Sequence, residues 1–542
     1  MKPFLVNILT PKQAVQLNLA IGLWACSAIL FYVWWFQPDH ILYPFDFALN
    51  TLVISWPILM PGYAFFFVRR LKKPNPALGV PKEWRIAYIV TKAPSEPWEV
   101  ARRSLEGMLA DDEIPHDTWI ADEDPSEETL EWCKEHGVRV SCRKGVREYH
   151  NLTFPRRTRC KEGNLAYFYD CWGYRLYDFV VQMDADHMPL PGYLKNMLLG
   201  FHDRKIGYVS APSICEYNRD SSWIARGRLF TEAVMHGAMQ AGAYGNYAPM
   251  CIGSHFAVRT RALREIGGLG PELAEDHSTT FLFNAHGWRG VHSIDAVASG
   301  FGPATFKDGM VQELQWTRSL AIIFLTLTPK HIGKLPLTLA AQFLFVQFWY
   351  FLFSFAMLGA FLISPYALLM GRPVANVNLG LFLIISSLPT VISLGICAWL
   401  KKHCLLRPWD APILCWESLA FPILRWPQVT WGVLKAIQFL WSEPTQVWKV
   451  TPKSKGGESD IPFKLLIPYL LLITISLATF ALSHPTPATG WYSTFNLINA
   501  AIYTFLTILV VHLNRRERGT NRRWQENREA RFAATRAVAV NS

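Results

Sequence analysis

Long apolar runs and a polar middle alternate along this chain. Residues 17–36, 45–68, 343–363, 379–400, 463–482 and 495–513 are nearly free of charge. Each approaches the ~20 residues that a membrane-spanning helix requires. They fall into a group of two and a group of four. Between the groups, residues 70–335 follow another rhythm, in which short apolar runs alternate with amphipathic stretches. Strands are expected at 85–90, 118–121, 137–140 and 179–184, and helices at 97–109, 126–136 and 163–172. This βαβα order predicts an α/β domain with a mostly parallel sheet covered by helices on both faces, inserted in a six-helix transmembrane region. The amphipathic stretch 311–324 is expected to lie at the membrane surface, and a long Trp-rich stretch covers 415–440. The expected division is 1–69 for two spans, 70–335 for the α/β domain, 336–513 for four spans, and 514–542 for a basic tail.

Charge adds an orientation. Arg69, Arg70, Lys72 and Lys73 follow the second span, Lys401 and Lys402 the fourth, and Arg515, Arg516 and Arg518 the sixth. Basic residues gather on the cytoplasmic side, so both termini and the α/β domain are expected in the cytoplasm beneath an inner membrane. Those clusters also account for much of the formal net charge of +11, without a nucleic-acid partner. The first span starts late and is rich in Trp, which marks an anchor rather than a cleaved leader. The ten cysteines include no Cys-x-x-Cys pair, so reduced structural thiols are expected. Apart from His512 the spans carry almost no ionisable group, which argues against a solute transporter. No Gly-x-Gly-x-x-Gly opens a helix, which argues against a dinucleotide site.

The candidate chemistry sits where strands end. Asp184 and Asp186 close an apolar strand, and side chains at i and i+2 of an extended segment share a direction. Such hard oxygen donors suit Mg²⁺ or Mn²⁺ carrying a diphosphate, as in an enzyme that uses a sugar nucleotide. Asp122 ends another strand, and ligands of parallel sheets bind at that edge.

Further motifs follow in order. They are Cys160-Lys161-Glu162-Gly163-Asn164-Leu165, Asp184-Ala185-Asp186-His187, Cys251-Ile252-Gly253-Ser254 with Arg259 and Arg261, Ala274-Glu275-Asp276, Gly287-Trp288 and Gln312-Glu313-Leu314-Gln315-Trp316. Thirty-five residues separate Asp276 from Gln312. In these motifs the chain resembles the membrane-embedded, inverting family 2 glycosyltransferases, the group of the cellulose, chitin, curdlan and hyaluronan synthases. The resemblance implies a GT-A-like domain in which Asp122, or Asp124 in its place, meets the nucleoside and Lys161 the phosphate or base. It implies that Asp184 approaches the ribose or the cation, and that Asp186 binds the cation. His187 would be a further ligand or a hydrogen-bonded support. Asp276 would be the general base, with Glu275 its chemical competitor. Cys251, Gly253 and Ser254 would line the acceptor end, where Trp316 stacks on a sugar or else anchors its helix at the interface. Gln312 would donate to the diphosphate or the acceptor. Gln315 stands where relatives carry Arg, and Arg318, on the same helical face, is the expected substitute.

Residues 443–460 contain a second resemblance. Trp448, Val450, Thr451 and Lys453 are similar to the cellulose synthase loop that closes over bound nucleotide. The expectation is an inverting, processive enzyme that polymerises a UDP-sugar, glucose before others, into a β-linked polysaccharide and moves it across the membrane. Its partners would be the growing chain, the lipid bilayer and periplasmic or outer-membrane export proteins. The alternative is a non-processive enzyme that adds one sugar to a membrane lipid.

Overall fold

The computed structural model describes residues 2–271, 274–441 and 461–540. Strand β1 (Leu5–Asn7) precedes two long apolar helices, α1 (Pro11–Trp35) and α2 (Pro44–Val68). Thr10 starts α1 with a capping box, its hydroxyl accepting from the Gln13 amide while the Gln13 side chain accepts from the Thr10 amide. After α2 the chain returns as β2 (Lys72–Pro74), which pairs antiparallel with β1.

The α/β domain follows. Strands β3 (Ile86–Lys92), β4 (Asp117–Asp122) and β5 (Arg139–Ser141) alternate with α3 (Trp98–Ala110) and α4 (Glu127–Glu135). Then come α5 (Lys161–Phe168), a π-turn at Tyr169–Gly173, α6 (Tyr174–Leu176), β6 (Phe179–Asp184), β7 (His187–Pro189) and α7 (Tyr193–Leu198). Strands β8 (Ile206–Ser210) and β9 (Ser213–Ile214) lead to α8 (Trp223–Thr231), β10 (His255–Arg259), α9 (Thr260–Glu265) and α10 (Glu275–Ala285). Strands β11 (Arg289–His292) and β12 (Ala298–Gly300) complete the domain. The main sheet has the order β11-β8-β10-β6-β3-β4-β5, with β7-β12-β9 as a smaller second sheet. All neighbours in the main sheet are parallel except β10, which runs antiparallel to both β6 and β8. The sheet buries both faces because its central strands are apolar throughout. Ile86, Tyr88 and Val90 of β3 face α3 and α7, while Ala87 and Ile89 face α5, α9 and α10.

Helix α11 (Phe306–Ile322), capped by Thr305, leads through a π-turn and α12 (Thr328–His331) into α13 (Leu337–Met370). Helices α14 (Leu379–Lys402), α15 (Trp416–Phe439), α16 (Phe463–Leu482) and α17 (Gly490–Val540) follow. Among the described residues, six helices are long and apolar enough to cross a membrane: α1, α2, α13, α14, α16 and the Gly490–Glu517 part of α17. The chain is thus a multi-pass membrane protein with the expected two-plus-four grouping. Helix α15 packs along α11 through a buried apolar seam in which Phe306, Met310, Phe421 and Leu424 meet Tyr469 and Tyr503. A buried ion pair, Arg425 to Glu313 at 3.3 Å, crosses that seam.

Local differences from the pattern reading have physical causes. The helix expected at 163–172 begins at Lys161 and passes into the π-turn beyond Phe168. The span expected at 343–363 is lengthened to 34 residues in α13, because its first turns pack on the domain through Leu339, Gln342 and Phe343.

Candidate active site

The carboxyl edge of the main sheet gathers the chemistry. Strand β6 ends at Asp184, and the inverted neighbour β10 begins beside it, with His255 opposite Met183. That register places Ser254 against Asp184, whose amide donates to the Ser254 carbonyl at 2.7 Å. Gly253 is one residue further on. Its amide donates to Asp276, and its carbonyl accepts from the Lys161 ammonium. A side chain at position 253 would bring a Cβ to 3.3 Å from Asp276 Oδ2, a contact that would press on that carboxylate.

Lys161 is the hub. Its Nζ stands 2.7 Å from Asp184 Oδ1 and 3.9 Å from Glu275 Oε1. Burial works against its charge, but Asp184, Glu275 and Asp276 together outweigh burial and hold its pKa above the ordinary value. Glu275 and Asp276 open α10, where the helix N-terminus favours negative charge, and the His277 amide donates to Asp276 Oδ1 at 2.8 Å. Burial nonetheless lifts both carboxyls above the usual carboxylate range, Glu275 further than Asp276. Two fastenings fix this helix end: the Ala274 amide donates to Ser319 Oγ of α11, and the Cys251 amide to Thr280 Oγ1 of α10.

A second cluster adjoins the first. Asp186 is buried, and His187 Nδ1 lies 3.1 Å from Asp186 Oδ1. His187 Nε2 is 3.4 Å from Ser213 Oγ, which in turn accepts from Ser254 Oγ at 2.8 Å. Burial disfavours the charged imidazole, but Asp186 and Cys215 outweigh it and push the His187 pKa up to about 10. The protonated ring therefore donates to Asp186 and braces it. Among the described residues no three His, Cys, Asp or Glu side chains converge into a metal cage. A cation of the Mg²⁺ class needs no such cage where one or two carboxylates share it with substrate phosphates. Asp184 and Asp186 fit that role in chemistry, since Asp184 already seats one positive charge, that of Lys161, and is about one-third exposed.

A third group lies on α11. Gln312 Oε1 accepts from Arg228 Nη1 of α8 at 3.2 Å, and the Arg228 guanidinium stacks 3.9 Å above the Trp316 ring. Arg228 is held from behind by Glu232 at 3.3 Å. Glu232 also meets His236 Nε2, whose Nδ1 accepts from the Ser213 amide at 3.4 Å. The three groups thus form one continuous polar wall.

Several expected residues stand elsewhere. Asp122 is completely buried at the end of β4 and pairs with Lys92 at 3.1 Å, while Asp124 is exposed and pairs with Lys144. Cys251 points into the core behind the loop. Arg318 lies on α11 one turn from Gln315, half-buried. Trp448, Val450, Thr451 and Lys453 lie outside the described residues. Arg228 is the residue that pattern reading missed. Its only signal in the sequence is the (i, i+4) pair with Glu232, a spacing common on any helix.

Residues 179–393 match the family model described as Glycosyl transferase family group 2. The chain is 24% identical over 311 residues to the cellulose synthase catalytic subunit [UDP-forming] of Xanthomonas axonopodis pv. citri (strain 306), covering 54% of this chain and 40% of that one. It is 25% identical over 265 residues to cellulose synthase 1 catalytic subunit [UDP-forming] of Komagataeibacter xylinus, covering 47% and 33%. The chain therefore spans two fifths or less of the length of both relatives. Among solved structures, the mannosyltransferase PcManGT from Pyrobaculum calidifontis in complex with GDP-Man and Mn²⁺ aligns with a TM-score of 0.47 at 14% identity, over 72% of this chain and 97% of that one.

Proposed function

We propose that this chain, which carries a GT-A-like family 2 glycosyltransferase domain, is an inverting and processive enzyme. It would polymerise a UDP-sugar, glucose before others, into a β-linked polysaccharide and pass the product across the membrane. The observation that carries the transfer chemistry is the placement of Asp276: half-buried, against Gly253, and beside Lys161 at the edge where Asp184 ends its strand. In transfer, Asp276 takes the proton of an acceptor hydroxyl as that oxygen forms its bond to the anomeric carbon. The bond from that carbon to the diphosphate breaks, and the electron pair leaves with UDP. One displacement turns an α-linked donor into a β-linked product. Burial keeps Glu275 protonated to a higher pH than its neighbour, which leaves Asp276 as the available base.

Asp184 and Asp186 would hold a Mg²⁺ or Mn²⁺, which when bound offsets charge on the departing diphosphate. Lys161 balances part of the carboxylate cluster. Arg228, stacked on Trp316, and Arg318 are the two sources for the positive charge that Gln315 lacks. Trp316 presents a face for the terminal sugar, steadied by the same guanidinium. Processivity rests on the resemblance to polysaccharide synthases and on the apolar helices packed behind α11.

Purified full-length protein given Mg²⁺ or Mn²⁺ and a panel of UDP-sugars and GDP-mannose tests the reading. A long, β-glycosidase-sensitive product from one UDP-sugar is expected. A single sugar extracted with lipid would overturn processivity, and no transfer from any donor would overturn the enzyme.

A further inference from the structure

Away from the carboxylate cluster, a groove of about 410 Å³ opens between α2 and the first turns of α13. Its walls are aromatic and aliphatic: Tyr63, Phe66 and Phe67 of α2, Tyr247 of the loop before β10, and Ala341 and Phe345 of α13. Tyr63, Phe66, Phe67 and Arg70 follow the i, i+3, i+4, i+7 spacing, so the apolar stripe of α2 runs directly into a cation just past the helix end. The Arg70 guanidinium lies 5.5 Å from the Phe66 ring centroid, 5.0 Å from Tyr244 and 4.8 Å from Tyr247. The Arg70 guanidinium donates to a neutral acceptor, the Tyr244 carbonyl, at 3.4 Å. Lys72 adds a second cation 5.2 Å from the Tyr244 ring centroid. Among the described residues, neither Arg69, Arg70 nor Lys72 has a carboxylate partner, whereas neighbouring Lys73 has Asp295 at 2.7 Å. Arg70 and Lys72, two cations without a carboxylate partner at the end of an apolar groove on a membrane helix, complement an acyl chain that carries an anionic headgroup.

We infer that this groove is a binding site for a phospholipid with a net negative headgroup, its acyl chain between α2 and α13 and its phosphate on Arg70 and Lys72. The site touches the rest of the molecule through Gln342 at the groove floor. The Gln342 amide accepts from the Ala248 N–H at 2.9 Å and donates to the Ala248 carbonyl at 2.8 Å. That clamped residue lies on the segment that continues into Gly253, so the lipid braces the loop leading to the carboxylate cluster from outside.

Native mass spectrometry of the full-length protein in detergent tests this, with equimolar phosphatidylglycerol and phosphatidylcholine of the same acyl chains. Wild type is expected to retain phosphatidylglycerol in preference. Arg70→Gln should cut that preference about fivefold, the size expected for one basic side chain at an anionic lipid surface. Ala341→Trp fills the groove from an exposed position and should remove one bound lipid, with thermal unfolding unchanged. Equal retention of the two lipids by wild type, or both variants binding as wild type does, would overturn the site. Displacement of the lipid by millimolar inorganic phosphate would also overturn it, in favour of a free-anion site. None of these readouts depends on transfer activity.

Discussion

Two charge clusters of this protein, one at the sheet edge and one among the helices beside it, are balanced differently. At the sheet edge, Asp184, Glu275 and Asp276 share one cation, Lys161. On the α8–α11–α15 side, Glu232 and Glu313 meet Arg228 and Arg425, charge for charge. The consequences appear in protonation. Burial opposes the charge of Glu232, but Arg228 and His236 outweigh it and hold its pKa down to about 2. Glu275 and Asp276 have too little positive charge beside them, and burial lifts them. Glu313 is the exception on the balanced side, raised because its burial exceeds what Arg425 offsets. The matched Glu313–Arg425 pair is a scaffold, and Glu232 holds Arg228 in place beside the site. An excess of carboxyls is poised to take a proton or a cation, which is what a transfer site needs.

Substitutions should separate the two. The largest effect is expected from Asp276→Asn, which should lower transfer by roughly 10²–10⁴-fold while UDP binding by calorimetry stays near wild type. Turnover within a few-fold of wild type would remove Asp276 as the base. Arg425→Met should strand Glu313 and cost about 3–5 kcal/mol of stability, with Glu313→Leu/Arg425→Met together restoring most of it. Thermal unfolding of the two variants in one detergent reads this, and an unrestored double variant would break the picture of a matched scaffold. Arg228→Gln should raise the donor KM or lower kcat by roughly 10–100-fold, the worth of a hydrogen bond to a charged group. Arg318→Ala should also cost more than Arg102→Ala on the exposed face of α3. Near-normal turnover in either Arg228→Gln or Arg318→Ala would assign the diphosphate charge to the other arginine.

The smallest effect is on pH dependence. Because the Asp276 pKa is raised, its basic form is lost at a higher pH than an ordinary Asp would allow. kcat should therefore fall as pH drops through that raised value and be flat above it. A profile flat down to the ordinary Asp range would contradict the burial-driven shift.

Much of this was legible in the sequence where one element sufficed. The six apolar spans and the strands ending at Asp122 and Asp184 follow from periodicity and length alone. What needed two elements was hidden. Lys92 and Asp122 end neighbouring strands in register, and that tertiary pairing buries a carboxylate which its strand-end position alone would have put at the open edge. The reversed direction of β10 carries no local signature, yet it delivers Gly253 to both Lys161 and Asp276. Arg228 reaches Gln312 and Trp316 only because α8 and α11 pack together, 84 residues apart for the Arg228–Gln312 contact.

The pairing of β1 with β2 has a topological consequence. Leu5–Asn7 precedes the first hydrophobic crossing and Lys72–Pro74 follows the second, yet the two are hydrogen-bonded. A bilayer cannot separate them, so the N-terminal segment and the α/β domain share one compartment whichever way the protein faces. The first hairpin is stitched shut at its open end. Tags placed at either location should become accessible together to an impermeant reagent.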